Sequence, residues 1–154
     1  MSNKFKLVNA SIALVLLGIG SIDPTIIQPI SAHEIKVSGD VGGTMHIEPN
    51  DRAEAGKSTQ VWIALTRKGG KLIPLQQCNC KLVVFAQPRK KDAKPILQPM
   101  LKSINAEGYK GVIGTDIVFP KTGAYEVKLT GSPKSGATFK PFELKFDITV
   151  AGKK

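Results

Sequence analysis

Four side chains in this sequence carry donor atoms suited to metal binding or electron exchange: His33, His46, Cys78 and Cys80. The two histidines are the only ones in the chain, and both lie within "PISAHEIKVSGDVGGTMHIEP". A chain that starts at His33 after processing presents its amine and its imidazole Nδ1 in one chelate ring. The His46 imidazole then completes a three-nitrogen set suited to Cu(II). The intervening "GDVGG" supplies residues tolerant of positive φ, able to fold the strand bearing His46 back beside the terminus. Met45 points away from His46 in a regular strand, so the two do not make one site. Glu34, Glu48 and Asp51 are nearby oxygen donors of an ordinary surface kind. The competing reading is an exposed terminal histidine and a strand histidine that only hydrogen-bonds.

The cysteines stand together in "QQCNCKL". In an extended strand, Cα atoms two residues apart are ~6.6 Å from one another with side chains on one face, near the upper limit for a bridge. Three states follow: a disulfide made with strain or a local turn, two thiolates open to Cu(I), Zn(II) or redox chemistry, and an inert reduced pair. An oxidising compartment favours the first.

The compartment is read from the first 32 residues. "MSNKFK" is basic, "LVNASIALVLLGIG" apolar, and "SIDPTIIQPISA" ends in small residues, the order of a secretory signal. The uninterrupted run from Ile12 to Ile19 is far short of the ~20 residues that span a bilayer. Cleavage after Ala32 is expected, giving a signal peptide over 1–32, a mature domain over 33–154, and no integral membrane segment after cleavage. The destination is the periplasm, a thylakoid lumen or the exterior.

The mature part keeps 20 Lys and Arg against 11 Asp and Glu, a formal charge of +9. Its densest basic group is "PRKKDAKP", Pro88 to Pro95, read as a solvated loop. No aromatic residues alternate with these charges to stack bases, so nucleic acid is a poor partner. An acidic protein or an anionic surface is the natural one.

Such a site must be positioned by strands, because alternation of period two dominates after residue 33. "PFELKFDITV" puts Phe142, Leu144, Phe146, Ile148 and Val150 on one face and charged or polar residues on the other. "GAYEVKLTG" repeats this with Tyr125, Val127 and Leu129. "STQVWIALTR" and "CKLVVFAQP" are apolar on both faces and flank the loop "KGGKLIPLQQ". "HEIKVSG", "GTMHIEP" and "GYKGVIGTDIVFP" complete about seven strands separated by Gly and Pro turns. The fold class is therefore all-β, an immunoglobulin-like antiparallel β-sandwich. Its core is expected to include Trp62, Leu82, Val84, Tyr125, Val127, Leu129, Phe142, Leu144 and Phe146. "PKTGAYEVKL" resembles a tyrosine corner, in which the Tyr hydroxyl ties back to the preceding backbone. Val127 stands where an antibody domain has its second cysteine, so the inter-sheet disulfide is absent.

Trp62, Phe119, Pro120, Gly123, Tyr125 and the alternating final strand together resemble the small exported YtkA-like and FixH-like domains, over about three quarters of the mature chain. That resemblance implies fold and export more than activity. More loosely, the chain is similar to small exported proteins of photosynthetic bacteria. A terminal His33 with His46 is also similar to the periplasmic copper-resistance C proteins and copper monooxygenases, which bind copper through a terminal histidine. The methionine-rich stretch, the late Asp-x-His motif and the third histidine of those families are missing.

No Ser/His/Asp order or nucleophile elbow is visible, and "GDVGG" lacks the strand-to-helix setting of a phosphate loop. The reading is not an enzyme. Two functions remain: an exported, non-catalytic accessory or interaction domain with a basic surface, and a copper-binding or copper-handling protein using His33, His46, Cys78 and Cys80.

Overall fold

A computed structural model describes residues 34–152. The expected signal peptide, its cleavage point and His33 lie outside the described residues. Ten strands follow in order: β1 (Glu34–Ser38), β2 (Val41–Glu48), β3 (Ala53–Glu54), β4 (Ser58–Arg67), β5 (Lys71–Ile73), β6 (Cys78–Ala86), β7 (Lys102–Ala106), β8 (Tyr109–Val118), β9 (Gly123–Pro133) and β10 (Phe142–Ala151). A 3-10 turn at Leu75–Gln77 joins β5 to β6. Among the described residues, no helix is long and apolar enough to cross a membrane.

The strands form two layers. One sheet runs β1-β2-β4-β8-β7, with β5 also paired to β4; the other runs β3-β10-β9-β6. Pairing is antiparallel throughout except for the short parallel contact of β3 with β10. The expected alternation is the reason the layers stack. On β9 and β10, Tyr125, Val127, Leu129, Phe142, Leu144 and Phe146 are buried in one core with Val61, Ile63 and Leu65 of β4 and Leu82 and Val84 of β6. This is the predicted β-sandwich. The three strands that composition did not reveal, β3, β5 and β7, are short or polar.

The tyrosine corner is present. The Tyr125 hydroxyl donates to the Lys121 carbonyl at 2.7 Å and accepts from the Lys121 N–H at 3.3 Å. Its ring sits 5.0 Å from that of Phe119, which is fully buried at the end of the preceding strand. The corner thereby fixes where β9 begins.

Trp62 belongs to the buried core as expected, and refines where that core lies. It is buried, but in a separate cluster with Ala64 and Val112, against which Leu72, Ile104 and Ala106 pack. Alternation turns Trp62 outward between Val61 and Ile63, and a parting of strands supplies its cover. β8 leaves β4 after the pair Ile63↔Ile113, and β5 takes the vacated edge from Leu65↔Ile73. The freed end of the β7–β8 hairpin folds over the outer face of the first sheet and covers Trp62. Gly111, at φ 73°, lets it do so: a Cβ there would lie 3.1 Å from Gln76 Oε1 and 3.2 Å from Pro74 Cβ. The hairpin closes on Glu107-Gly108, both at positive φ as a two-residue turn of this hand requires.

The two open sides of the sandwich are closed differently. On one side, β1 lies against the edge of β10: Glu34 Oε2 accepts from the Asp147 N–H at 2.9 Å, and Ser38 Oγ from the Glu143 N–H at 3.3 Å. On the other side, the edge strand β6 is spanned by the connection 87–101. That connection pairs with the β6 backbone at one bridge, Val84↔Leu97.

Candidate functional site

His46 lies on β2, opposite Trp62 on β4. Cross-strand partners share a face, and here that face is the outer one. Met45 is buried in the main core, so the two residues point apart as alternation requires. The His46 imidazole is 5% exposed and stacks on the Trp62 indole at 3.7 Å between centroids, with planes 4° apart. Its Nδ1 is 3.9 Å from Glu107 Oε2 at the hairpin tip. The Trp62 Nε1–H donates to Glu48 Oε1 at 3.3 Å. His46 is therefore built into the wall of the outer aromatic cluster. β1 pairs with β2 up to Glu34↔Met45, so the first described residue lies opposite the neighbour of His46 in sequence.

Cys78 and Cys80 form a disulfide, with Cα atoms 5.2 Å apart. That separation is well inside the range of native bridges and shorter than an ideal strand gives. Room for the sulfurs comes from Gly131, which pairs with Cys80 across the β6–β9 ladder. A Cβ at Gly131 would stand 2.7 Å from Cys78 Sγ and 2.5 Å from the Phe142 ring. A three-residue loop removes little freedom from the unfolded chain, about 1.6 kcal/mol on the chain-entropy relation, near half of what a 15-residue loop gives. The bridge is also redundant in the native state, because nine β6–β9 pairs already hold this segment.

The expected set of His33, His46, Cys78 and Cys80 is not one constellation in the described residues. His46 faces outward from the first sheet, while the cysteines lie on the core-facing side of the second. Both sulfurs are committed to one another. Among the described residues, no group of three or more His, Cys, Asp or Glu is placed to hold a metal ion.

The β6 edge carries two grooves, one on each side of the Val84↔Leu97 bridge. The first, about 540 Å³, is walled by Pro88–Lys94 and floored by Phe85. The Arg89 guanidinium lies 4.2 Å over the Phe85 ring and pairs with Glu126 at 3.0 Å. Arg89 is thus a structural cation. Lys90, Lys91 and Lys94 are exposed along the same groove, and among the described residues they have no ion-pair partner. The basic segment read as a solvated loop is a shaped wall; what the sequence did not reveal is the groove behind it. The second groove, about 490 Å³, runs beside Cys80 and Leu82 and is closed by Gln98–Leu101. Its apolar rim includes Met100, 90% exposed.

Two charged groups elsewhere are shifted by their ion-pair partners. Glu143 is held below the usual carboxylate range by hydrogen bonds from Lys145 first and then Lys128. Lys36 is raised by its hydrogen bond to Glu34.

The fold is similar to two solved structures. A DUF4426 family protein from Pseudomonas aeruginosa PAO1 superposes with a TM-score of 0.55 at 9% identity, over 79% of this chain and 97% of that one. FetP of uropathogenic E. coli strain F11, recombinantly expressed in the periplasm of E. coli, superposes with a TM-score of 0.52 at 14% identity, over 80% of this chain and 96% of that one. Identities this low show a shared fold alone. No protein-family model and no curated protein matches the chain, and the expected likeness to YtkA-like and FixH-like domains is not confirmed.

Proposed function

We propose that the chain is an exported, non-catalytic binding module whose basic groove at the end of β6 receives an acidic segment of a partner protein. Export rests on the signal-like order of residues 1–32. One observation carries the binding site: Lys90, Lys91 and Lys94 line a single groove with an aromatic floor, while Arg89 is already neutralised by Glu126. Lysines over an apolar floor suit a chain that alternates carboxylates with apolar side chains. A flat anionic surface would use the charge and leave the floor idle.

The test is fluorescence anisotropy with a labelled peptide that alternates Glu with Leu. The triple variant K90E/K91E/K94E should weaken binding by about 10-fold or more and flatten its salt dependence, at unchanged thermal stability. Equal affinity in both proteins overturns the proposal. Stronger binding to vesicles of anionic lipid than to the peptide moves the site to a membrane surface.

A second reading, copper bound by the amine and imidazole of His33 with the His46 imidazole, is favoured by the pairing of Glu34 with Met45 beside His46. It requires a chain that begins at His33 and a His46 ring nitrogen that reaches the ion from a side chain only 5% exposed. Copper titration of the processed protein, of a form with one extra residue before His33, and of His46→Ala separates the outcomes. Equal affinity in all three removes this reading.

A further inference from the structure

We propose that the Cys78–Cys80 disulfide is a thiol–disulfide exchange site that oxidises a dithiol in an extended protein segment laid along the edge of β6. The basic groove plays no part in this proposal. The bridge closes the shortest of loops inside a strand that β9 already holds, so its chemistry, more than its contribution to stability, explains its presence.

The edge is arranged to receive a strand. The Val84 N–H donates to the Leu97 carbonyl at 2.9 Å and the Val84 carbonyl accepts from the Ile96 N–H at 2.8 Å, so the peptide groups of Val84 face away from β9. The two-residue period of an antiparallel ladder gives Leu82 and Cys80 the same orientation. Their N–H and C=O groups therefore look into the second groove, where the native chain has begun the pairing at Leu97 and then moves off to Gln98–Leu101. An added strand continues that pairing, as in other cases of β-augmentation.

The two sulfurs are unequal. Cys78 is 1% exposed and packed in the core, whereas Cys80 is half-buried at the groove. A substrate thiolate attacks Cys80 Sγ, the Cys78–Cys80 bond breaks, and Cys78 Sγ takes the electron pair and then a proton. The second substrate thiol loses its proton and attacks the substrate sulfur of the mixed disulfide, and Cys80 leaves as a thiolate that is protonated in turn. Two electrons and two protons pass from the substrate dithiol to Cys78 and Cys80. The exchange is stoichiometric, one substrate disulfide for each protein disulfide.

The experiment mixes the purified oxidised protein, without oxygen, with a reduced Val- and Thr-rich peptide bearing two cysteines. Alkylation and mass measurement then count thiols in protein and peptide. We expect the peptide disulfide and the Cys78/Cys80 thiol pair to appear together, with the circular dichroism spectrum of the fold retained. With the oxidised peptide, Cys78→Ser should trap a mixed disulfide about 100-fold faster than Cys80→Ser, because both line the groove but Cys78 is only 1% exposed. A bridge that survives excess reduced peptide until denaturant is added overturns the proposal, as do equal trapping rates in the two variants. Reduction by glutathione as fast as by the peptide overturns the assignment of the β6 edge as a strand-binding site.

Discussion

The two open sides of this sandwich are closed by different means, and the difference locates its chemistry. Where β1 meets β10, side chains accept directly from backbone N–H groups across the join: Glu34 from Asp147, Ser38 from Glu143, and Asp40 Oδ1 from the Lys140 N–H at 3.0 Å. Where β6 faces the first sheet, the connection 87–101 arches across the gap and pairs with the strand's backbone at one bridge. An arch leaves space on both sides of its contact. One space has lysines on its wall and the other a disulfide at its base, so one strand edge bears both candidate binding surfaces.

The largest expected effect breaks the packing behind the arch. Gly131→Val forces a side chain into Phe142 and Cys78 Sγ and should destabilise by about 3 kcal/mol in urea unfolding. A variant of unchanged stability would mean that the close approach at the disulfide is relieved at no cost.

The comparison itself is tested by one substitution on each side. Leu97 packs on the main core, and Leu97→Ala should cost about 2 kcal/mol while altering peptide binding in the adjacent grooves. Glu34→Ala removes an exposed acceptor and should cost about 0.5 kcal/mol, because water replaces it. Equal costs would erase the distinction between the two sides.

An effect between these two concerns the end of β6, where Ala86 pairs with Tyr125. Tyr125→Phe should cost about 1 kcal/mol by thermal unfolding, the worth of the hydroxyl tie to Lys121. A loss near zero would reduce the corner to packing alone.

The smallest effect is electrostatic. Glu143 has its folded pKa lowered chiefly by Lys145, so its contribution is present above the unfolded carboxylate value and is lost as pH falls through the lower, folded one. The group is largely exposed, and solvent screening keeps the effect small. Titration of the Glu143 carboxyl by NMR should show its midpoint rise in Lys145→Gln. An unchanged midpoint would remove Lys145 as the cause.

How far the sequence could be read depended on where each strand's partner lay. β9 and β10 are polar on one face, so their alternation exposed register, core and corner together. β4 is apolar on both faces, and nothing within it says that Trp62 turns away from the main core. That fact belongs to the β7–β8 hairpin, whose mixed composition and kink at Gly111 make sense only once it is folded over the sheet. The disulfide was one of the states open to a Cys-x-Cys strand, but the space for it comes from Gly131, 51 residues beyond Cys80. The charges of Pro88–Pro95 were plain in the sequence. Their groove depends on the single contact of Leu97 with Val84, which no local pattern encodes.

The central claim is that the β6 side, and not the β1–β10 side, is the binding surface. Amide chemical-shift mapping with the alternating Glu and Leu peptide tests this most directly. The account predicts the largest shifts over Phe85 and Lys90–Ile96, with little change at Glu34–Ser38 or along β10. Shifts concentrated at β1 and β10 would contradict it.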